Sequence, residues 1–266
     1  MVLPLIVKKP IFSIKIACSI FLLRLFLIHS LAKKNEISID RIGFGVYSIF
    51  QKVINNYNKM KYIELYEKLN KAGLYLFSVQ DLLCLFPQEK KEILRQQVYY
   101  WKRRNWIKAL KNGLYEVIYP ERKNIPDLFL ANKLYSPSYV SLETALSIYS
   151  IIPQVAMAVT SITTKPTREF KSHYGFFRYR SLKPEAFIGY RIIEERNFEI
   201  KIADPEKALA DYIYFKLYDR DRIDIEGERF DLLSLKKLKK RRLYDYASNF
   251  NKAVYKILKE DIYAKL

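Results

Sequence analysis

Histidine and cysteine are scarce in this chain. Its 266 residues hold two of each, His29 and His173, Cys18 and Cys84, all far apart. A zinc site needs about four clustered ligands, and none can be assembled from this pattern. Two distant cysteines in apolar settings form no disulfide framework and fit a reducing, cytoplasmic compartment. Glycine is also sparse. The seven present never form G-x-G-x-x-G or a P-loop, so the sequence has no Gly-rich cradle for phosphates. Ser141 has no His and Asp at a spacing that would make a triad. The expectation is a protein that is not an enzyme and uses no cofactor or metal.

What the chain does carry is positive charge. Lys and Arg total 47 against 28 Asp and Glu, a formal net charge of +19, and half of the residues are hydrophobic. That excess points to a polyanion, either nucleic acid or an anionic membrane surface, and charge alone does not separate them. A Lys-, Ile- and Tyr-rich composition is also what an AT-rich genome produces.

Residues 11–32, IFSIKIACSIFLLRLFLIHSLA, have the length of a membrane span. Lys15 and Arg24 interrupt it, and a central Arg costs roughly 2.5–3.5 kcal/mol. Lys8 and Lys9 before the apolar run, with Ser30-Leu31-Ala32 after it, also suit a signal peptide. Met60 opens MKYIELYEKLNKAGLYLF, which resembles an ordinary protein start. Residues 1–59 therefore read three ways: sequence ahead of the true start, a membrane anchor, or an extra helix. They hold nine basic and two acidic residues. Without them 38 and 26 remain, a net of +12, so the basic character lies mostly elsewhere.

From Lys61 the pattern sharpens. Ile63, Leu65, Tyr66 and Leu69 recur at helical spacing, with Gly73 as a stop. Ser78 with Asp81 three residues on makes a capping-box start for a short second helix that ends before Pro87. A third helix spans about residues 88–104, with Leu94, Val98 and Trp101 as its apolar stripe. Lys91, Arg95, Gln96, Tyr99, Lys102 and Arg103 lie away from that stripe. Arg and Gln carry forked groups that read base edges, while Lys and Tyr hold phosphates. Residues 106–110 and 114–118 read as strands joined by Asn112-Gly113, a strong hairpin signal. Lys108 and Lys111 sit near its tip, placed to touch DNA. Three helices and a hairpin over residues 60–118 predict a winged helix-turn-helix. The same order also occurs in protein-binding winged helices.

Proline and charge at residues 119–123 mark a boundary. Beyond it, to residue 266, helices and short strands alternate. Residues 125–132 read as a helix. Tyr139-Val140-Ser141 leads into another, with Ser141 as its N-cap. Residues 155–160, 174–179, 187–190 and 198–202 are strand-like. Asp204-Pro205-Glu206-Lys207-Ala208-Leu209 opens a helix, with Asp at the cap, Pro first and Glu in the first turn. A last helix is expected over residues 244–258. The fold class is α+β: an N-terminal winged helix, then a mixed α/β domain with a helical C-terminal tail.

Four stretches together resemble the AbiEi-type antitoxin and transcriptional regulator family of type IV toxin–antitoxin and phage-defence systems. They are residues 106–117, ending Asn-Gly-Leu-Tyr-Glu-Val; Tyr139-Val140-Ser141 with Ala145-Leu146; Phe176-Phe177-Arg178-Tyr179; and Ala203 through Leu209 with Asp211. The resemblance covers about residues 60–260. It implies a winged helix that represses its own promoter, and a second domain that neutralises a nucleotidyltransferase-like toxin encoded next door. It also implies a structural or antitoxin role for Tyr139, Ser141, Asp204, Pro205, Glu206, Lys207 and Asp211.

Other readings compete. Asp204, Glu206 and Asp211 could serve a metal-dependent nuclease, but a helix N-terminus favours acids at these places. The run Lys236-Lys237-Leu238-Lys239-Lys240-Arg241-Arg242 reads as a solvated face, as phosphate contact, or as a mate for an acidic partner. A stand-alone or membrane-associated interaction protein without a toxin is the alternative to the regulator.

Overall fold

The computed structural model describes residues 61–154, 157–219 and 227–262. Residues 11–32, with the rest of 1–60, lie outside them. No helix among the described residues is long and apolar enough to cross a membrane. The described chain is mixed α and β. Lys68–Leu266 forms one compact unit, and residues 61–67 belong to another. The larger unit runs across the 118/119 border expected from composition. Leu76 and Leu110 share a buried cluster with residues of the later half, among them Leu130, Val140 and Ile202.

Helix α1 includes residues 61–71. It stops where the Gly73 backbone turns left-handed (φ +63°), and the Leu74 amide closes back on the Leu69 carbonyl at 2.9 Å. Strand β1, Leu76–Phe77, follows. Helix α2, Val79–Leu85, starts on a full capping box: the Asp81 amide donates to Ser78 Oγ (3.2 Å), and the Ser78 amide donates to Asp81 Oδ2 (2.7 Å). Helix α3, Lys91–Arg103, buries Leu94, Gln97, Val98 and Trp101. Strands β2, Ile107–Lys111, and β3, Leu114–Val117, flank Asn112-Gly113, with Gly113 at φ +80°. These strands make an antiparallel sheet in the order β1-β3-β2. A register shift between Ala109 and Lys111 leaves a bulge at Leu110, whose side chain joins the larger buried cluster.

A second sheet of six strands carries the rest. The elements in chain order are helix α4 (Asp127–Leu134), strand β4 (Ser138–Val140), helix α5 (Leu142–Ile148), strands β5 (Ala158–Thr163), β6 (Arg168–Ser172), β7 (Gly175–Ser181), β8 (Tyr190–Glu195) and β9 (Phe198–Ala203), and helix α6 (Pro205–Tyr218). The sheet order is β6-β7-β5-β4-β9-β8, with β4/β9 and β5/β7 parallel. Alternation sorts the side chains to two faces. Ser138 and Tyr179 both donate to the Ala131 carbonyl of α4 on one side. Tyr139 and Arg180 reach Asp211 and Asp219, within and just after α6, on the other. The central strands of the sheet are therefore sandwiched between α4 and α6, while the edge strands β6 and β8 stay largely exposed.

The expected strand at residues 187–190 is not formed: residues 187–189 follow a 3-10 turn at Pro184–Ala186 without regular structure, and β8 begins at Tyr190. Residues 155 and 156 of another expected strand lie outside the described residues, and the strand there is β5. The expected final helix is divided. Helices α7 (Leu232–Lys236), α8 (Lys240–Ser248) and α9 (Lys252–Lys256) precede a π-helical turn at Ile257–Ile262. Asn251 restarts the chain by accepting the Val254 amide at 2.9 Å. An Asx cap competes with helix continuation, which apolar spacing alone does not reveal.

Candidate functional site

Helix α3 has two unlike faces. At about 100° per residue, Lys91, Arg95, Gln96, Tyr99, Lys102 and Arg103 span an arc of about 140°, opposite the buried Leu94, Gln97, Val98 and Trp101. All six are exposed, Tyr99 at 63%. Among the described residues, the side chains of Lys91, Arg95, Gln96 and Lys102 make no hydrogen bond or ion pair. Arg103 lies over the Tyr99 ring at 5.9 Å. Forked donors and ammonium groups therefore stand on the helix without a close ion pair among the described residues, although the exposed Glu92 falls within the same arc. Lys108, on β2, is exposed as well.

Lys111 does not join them. Its ammonium folds back to donate to the Leu134 carbonyl and lies 5.6 Å from the Phe170 ring centre. Burial, with Lys165 and Arg168 nearby, holds its pKa below the usual lysine value. The bulge at Leu110 accompanies this inward turn. In this conformation its ammonium is held at the Leu134 carbonyl rather than projecting from the hairpin.

The second cluster joins residues far apart in the chain. Asp211, wholly buried, accepts from Ser141 Oγ (2.8 Å) and Tyr139 OH (3.1 Å) on Oδ2, and from Lys207 Nζ (2.5 Å) on Oδ1. Lys207 is equally buried and lies 4.4 Å from the Phe250 ring centre. Burial pushes the Asp211 carboxyl up, while Lys207, Ser141 and Tyr139 pull it down. The same burial drives the Tyr139 phenol well above its ordinary value. This network is closed to solvent. It ties β4, the start of α5 and α6 together.

Asp204 and Ser141 occupy N-cap positions, but neither side chain caps its helix. Ser141 is drawn to Asp211. Asp204 instead accepts from Arg242 (2.6 Å) and Tyr246 OH (3.0 Å). Pro205 does take the first helical position. Glu206 accepts the Lys239 amide at 2.9 Å. Arg242, at the end of the cationic run, is thus committed within the molecule. Lys236, Lys237, Lys239, Lys240 and Arg241 are exposed. Gly189 lets this corner close, since a Cβ there would lie 2.7 Å from the Tyr246 ring and its φ is +75°. Among the described residues no group of three His, Cys, Asp or Glu is arranged to hold a metal.

A third cluster was invisible in the sequence. Glu116 of β3 is fully buried and accepts from Arg122 Nε (3.0 Å) and Tyr174 OH (2.6 Å), and it pairs with His173 Nε2 (2.9 Å). Burial lifts the Tyr174 phenol to about 12, helped by Glu116 and opposed by Arg122. Burial also holds His173 below the ordinary imidazole value, against Glu116. These contacts clamp the β2–β3 hairpin to the β6–β7 turn. The only sequence signal was an acid placed between the apolar residues of a return strand.

No family model matches the chain, and no curated protein matches it.

Proposed function

We propose that the protein is a DNA-binding transcriptional regulator, in which α1–α3 and β1–β3 act as a winged helix and α3 as the recognition helix. One observation carries this reading: the exposed, mainly cationic row of Lys91, Arg95, Gln96, Tyr99, Lys102 and Arg103, without an ion pair among the described residues, on a helix whose other face is buried. A helix of 13 residues fits the major groove, Arg95, Gln96 and Arg103 offer donors to base edges, and Lys108 offers a phosphate contact from the adjoining hairpin. The partner is double-stranded operator DNA, and the location this implies is the cytoplasm. The test is a gel shift on DNA from upstream of the protein's own gene. Changing Arg95, Gln96 and Arg103 together to Ala is expected to abolish the specific complex while the circular dichroism spectrum is unchanged. An unaltered shift overturns the recognition-helix assignment and favours the protein-binding alternative.

An antitoxin role is the second reading. It rests on the AbiEi-type resemblance, and one observation favours it. Tyr139, Ser141, Lys207 and Asp211, from two of the resembling stretches, meet in one buried network. The motif is then a fold signature, and toxin neutralisation belongs to other surfaces of that domain. Co-expression with the adjacent gene decides it: rescue of growth from a nucleotidyltransferase-like toxin supports the role, and no rescue leaves a regulator alone.

A further inference from the structure

Strand β8 ends the six-stranded sheet. Among the described residues nothing pairs with its outer side. An open edge normally carries charges of one sign, Pro or a bulge to prevent pairing with another chain. Here Tyr190-Arg191-Ile192-Ile193-Glu194-Glu195 pairs regularly with β9 along its whole length, has no Pro, and bears charges of both signs. The Asp204 amide donates to the Gly189 carbonyl at 2.9 Å. In an antiparallel ladder that bond sets the alternation. Residues 191, 193 and 195 turn their backbone groups toward β9, and Tyr190, Ile192 and Glu194 turn theirs outward.

A two-fold axis normal to the sheet lets β8 meet a second copy of itself. Residues facing each other must then share a face, so the axis falls on a residue. Only some registers are physically favourable. An axis at Glu194 sets two carboxylates against each other. An axis at Ile192 sets Arg191 against Ile193 and Tyr190 against Glu194, with no pair of opposite charges. An axis at Ile193 sets Ile193 against itself, Arg191 against Glu195 of the second copy, and the outward-facing backbones of Ile192 and Glu194 against each other.

The acidic side of that match is waiting for a cation. Glu195 lies near Asp127 at the start of α4, whose carboxyl is pushed up by burial and by Glu195. Among the described residues, the ion pair that Glu195 makes, to its neighbour Arg196, is long at 3.9 Å. Arg191 is exposed and makes a ring contact with Tyr149 at 5.7 Å. Ile192, 59% exposed, then lies opposite Glu194 of the second copy, where the two outward backbones pair. The opposite edge, β6, does not offer the same match. Arg168 and Lys171 are cationic there, and Glu169 is already held by Arg178 at 2.7 Å.

We propose that two copies of this chain associate through β8, with Ile193 on the two-fold axis and Arg191 of each copy facing Glu195 and Asp127 of the other, so that the two sheets become one of twelve strands. This assignment is independent of DNA binding and is tested without DNA.

The experiment is sedimentation equilibrium of the full chain and four variants. Wild type is expected to be a dimer. Arg191→Glu and Glu195→Arg are each expected to weaken the dimer about tenfold or more, because two symmetry-related pairs turn from attractive to repulsive. The double variant restores the match and is expected to recover the dimer. Glu194→Pro removes an outward amide without touching the β8–β9 ladder, and is expected to yield a monomer with an unchanged circular dichroism spectrum. A monomeric wild type, a dimer indifferent to all four variants, or a double variant that stays dissociated overturns the proposal. Recovery in the double variant also excludes misfolding as the cause of the single-variant losses.

Discussion

Asp211 shows how much a single side chain can be asked to hold. A buried carboxylate is costly unless neutralised and hydrogen-bonded, and here one ammonium and two hydroxyls surround it. Replacing it by Ala strands the Lys207 ammonium in a site with 1% exposure. The expected loss is about 3–5 kcal/mol of stability, read as a lower urea midpoint. A nuclease that used Asp211 would instead lose metal-dependent cleavage at unchanged stability, so the two readings separate in one variant. The sequence identified Asp211 and Ser141 as residues of note but assigned Ser141 a capping role. A hydroxyl beside a helix start serves the nearest backbone amide by default. It leaves that amide only when a buried charge from elsewhere outbids it.

At the scale of elements, local signals served well where the chemistry was local. The Ser78/Asp81 box, the Gly73 stop and the Asn112-Gly113 turn all involve partners within a few residues, and each was readable in advance. The β8–β9 hairpin was not. Its turn uses Arg196 and Asn197 at φ +52° and +66°, without the glycine that announces such a turn. The clamp between hairpins was equally hidden, because Glu116 and Tyr174 are 58 residues apart. It should respond to alkali. The folded phenol has its pKa raised above its ordinary value of 10.0 to about 12, so the folded state holds a proton that the unfolded state loses first. The resulting stabilisation is complete below pH 10, and is lost as pH rises from about 10 to about 12. Tyr174→Phe is expected to flatten that limb of the stability-against-pH curve, measured by urea denaturation across it. An unchanged limb would assign the alkaline loss to other tyrosines.

For the whole molecule, the net charge of +19 sets a general attraction to polyanions, but the fold decides which cations remain available. Arg242 is engaged by Asp204, Arg180 by Asp219, and Lys111 by a carbonyl. Under the proposed reading Lys108 contacts phosphate and Lys111 does not. Lys108→Ala is therefore expected to lower the slope of log affinity against log salt by about one, and Lys111→Ala to leave it in place. Equal slope changes in the two variants would contradict the geometric distinction between them.

The sequence alone determined the mixed α and β class, the capped second helix, the first hairpin and the two-faced third helix. Each depends on periodicity or on contacts a few residues long. Tertiary structure alone decided that one compact unit crosses the expected border, that Lys111 turns inward, and that Tyr139, Ser141, Lys207 and Asp211 meet. It also decided that β8 ends the sheet among the described residues. The physical reason is common to all four. Burial and sheet order depend on which distant segments share an interior, and a buried charge takes the partners that the packed fold brings within reach.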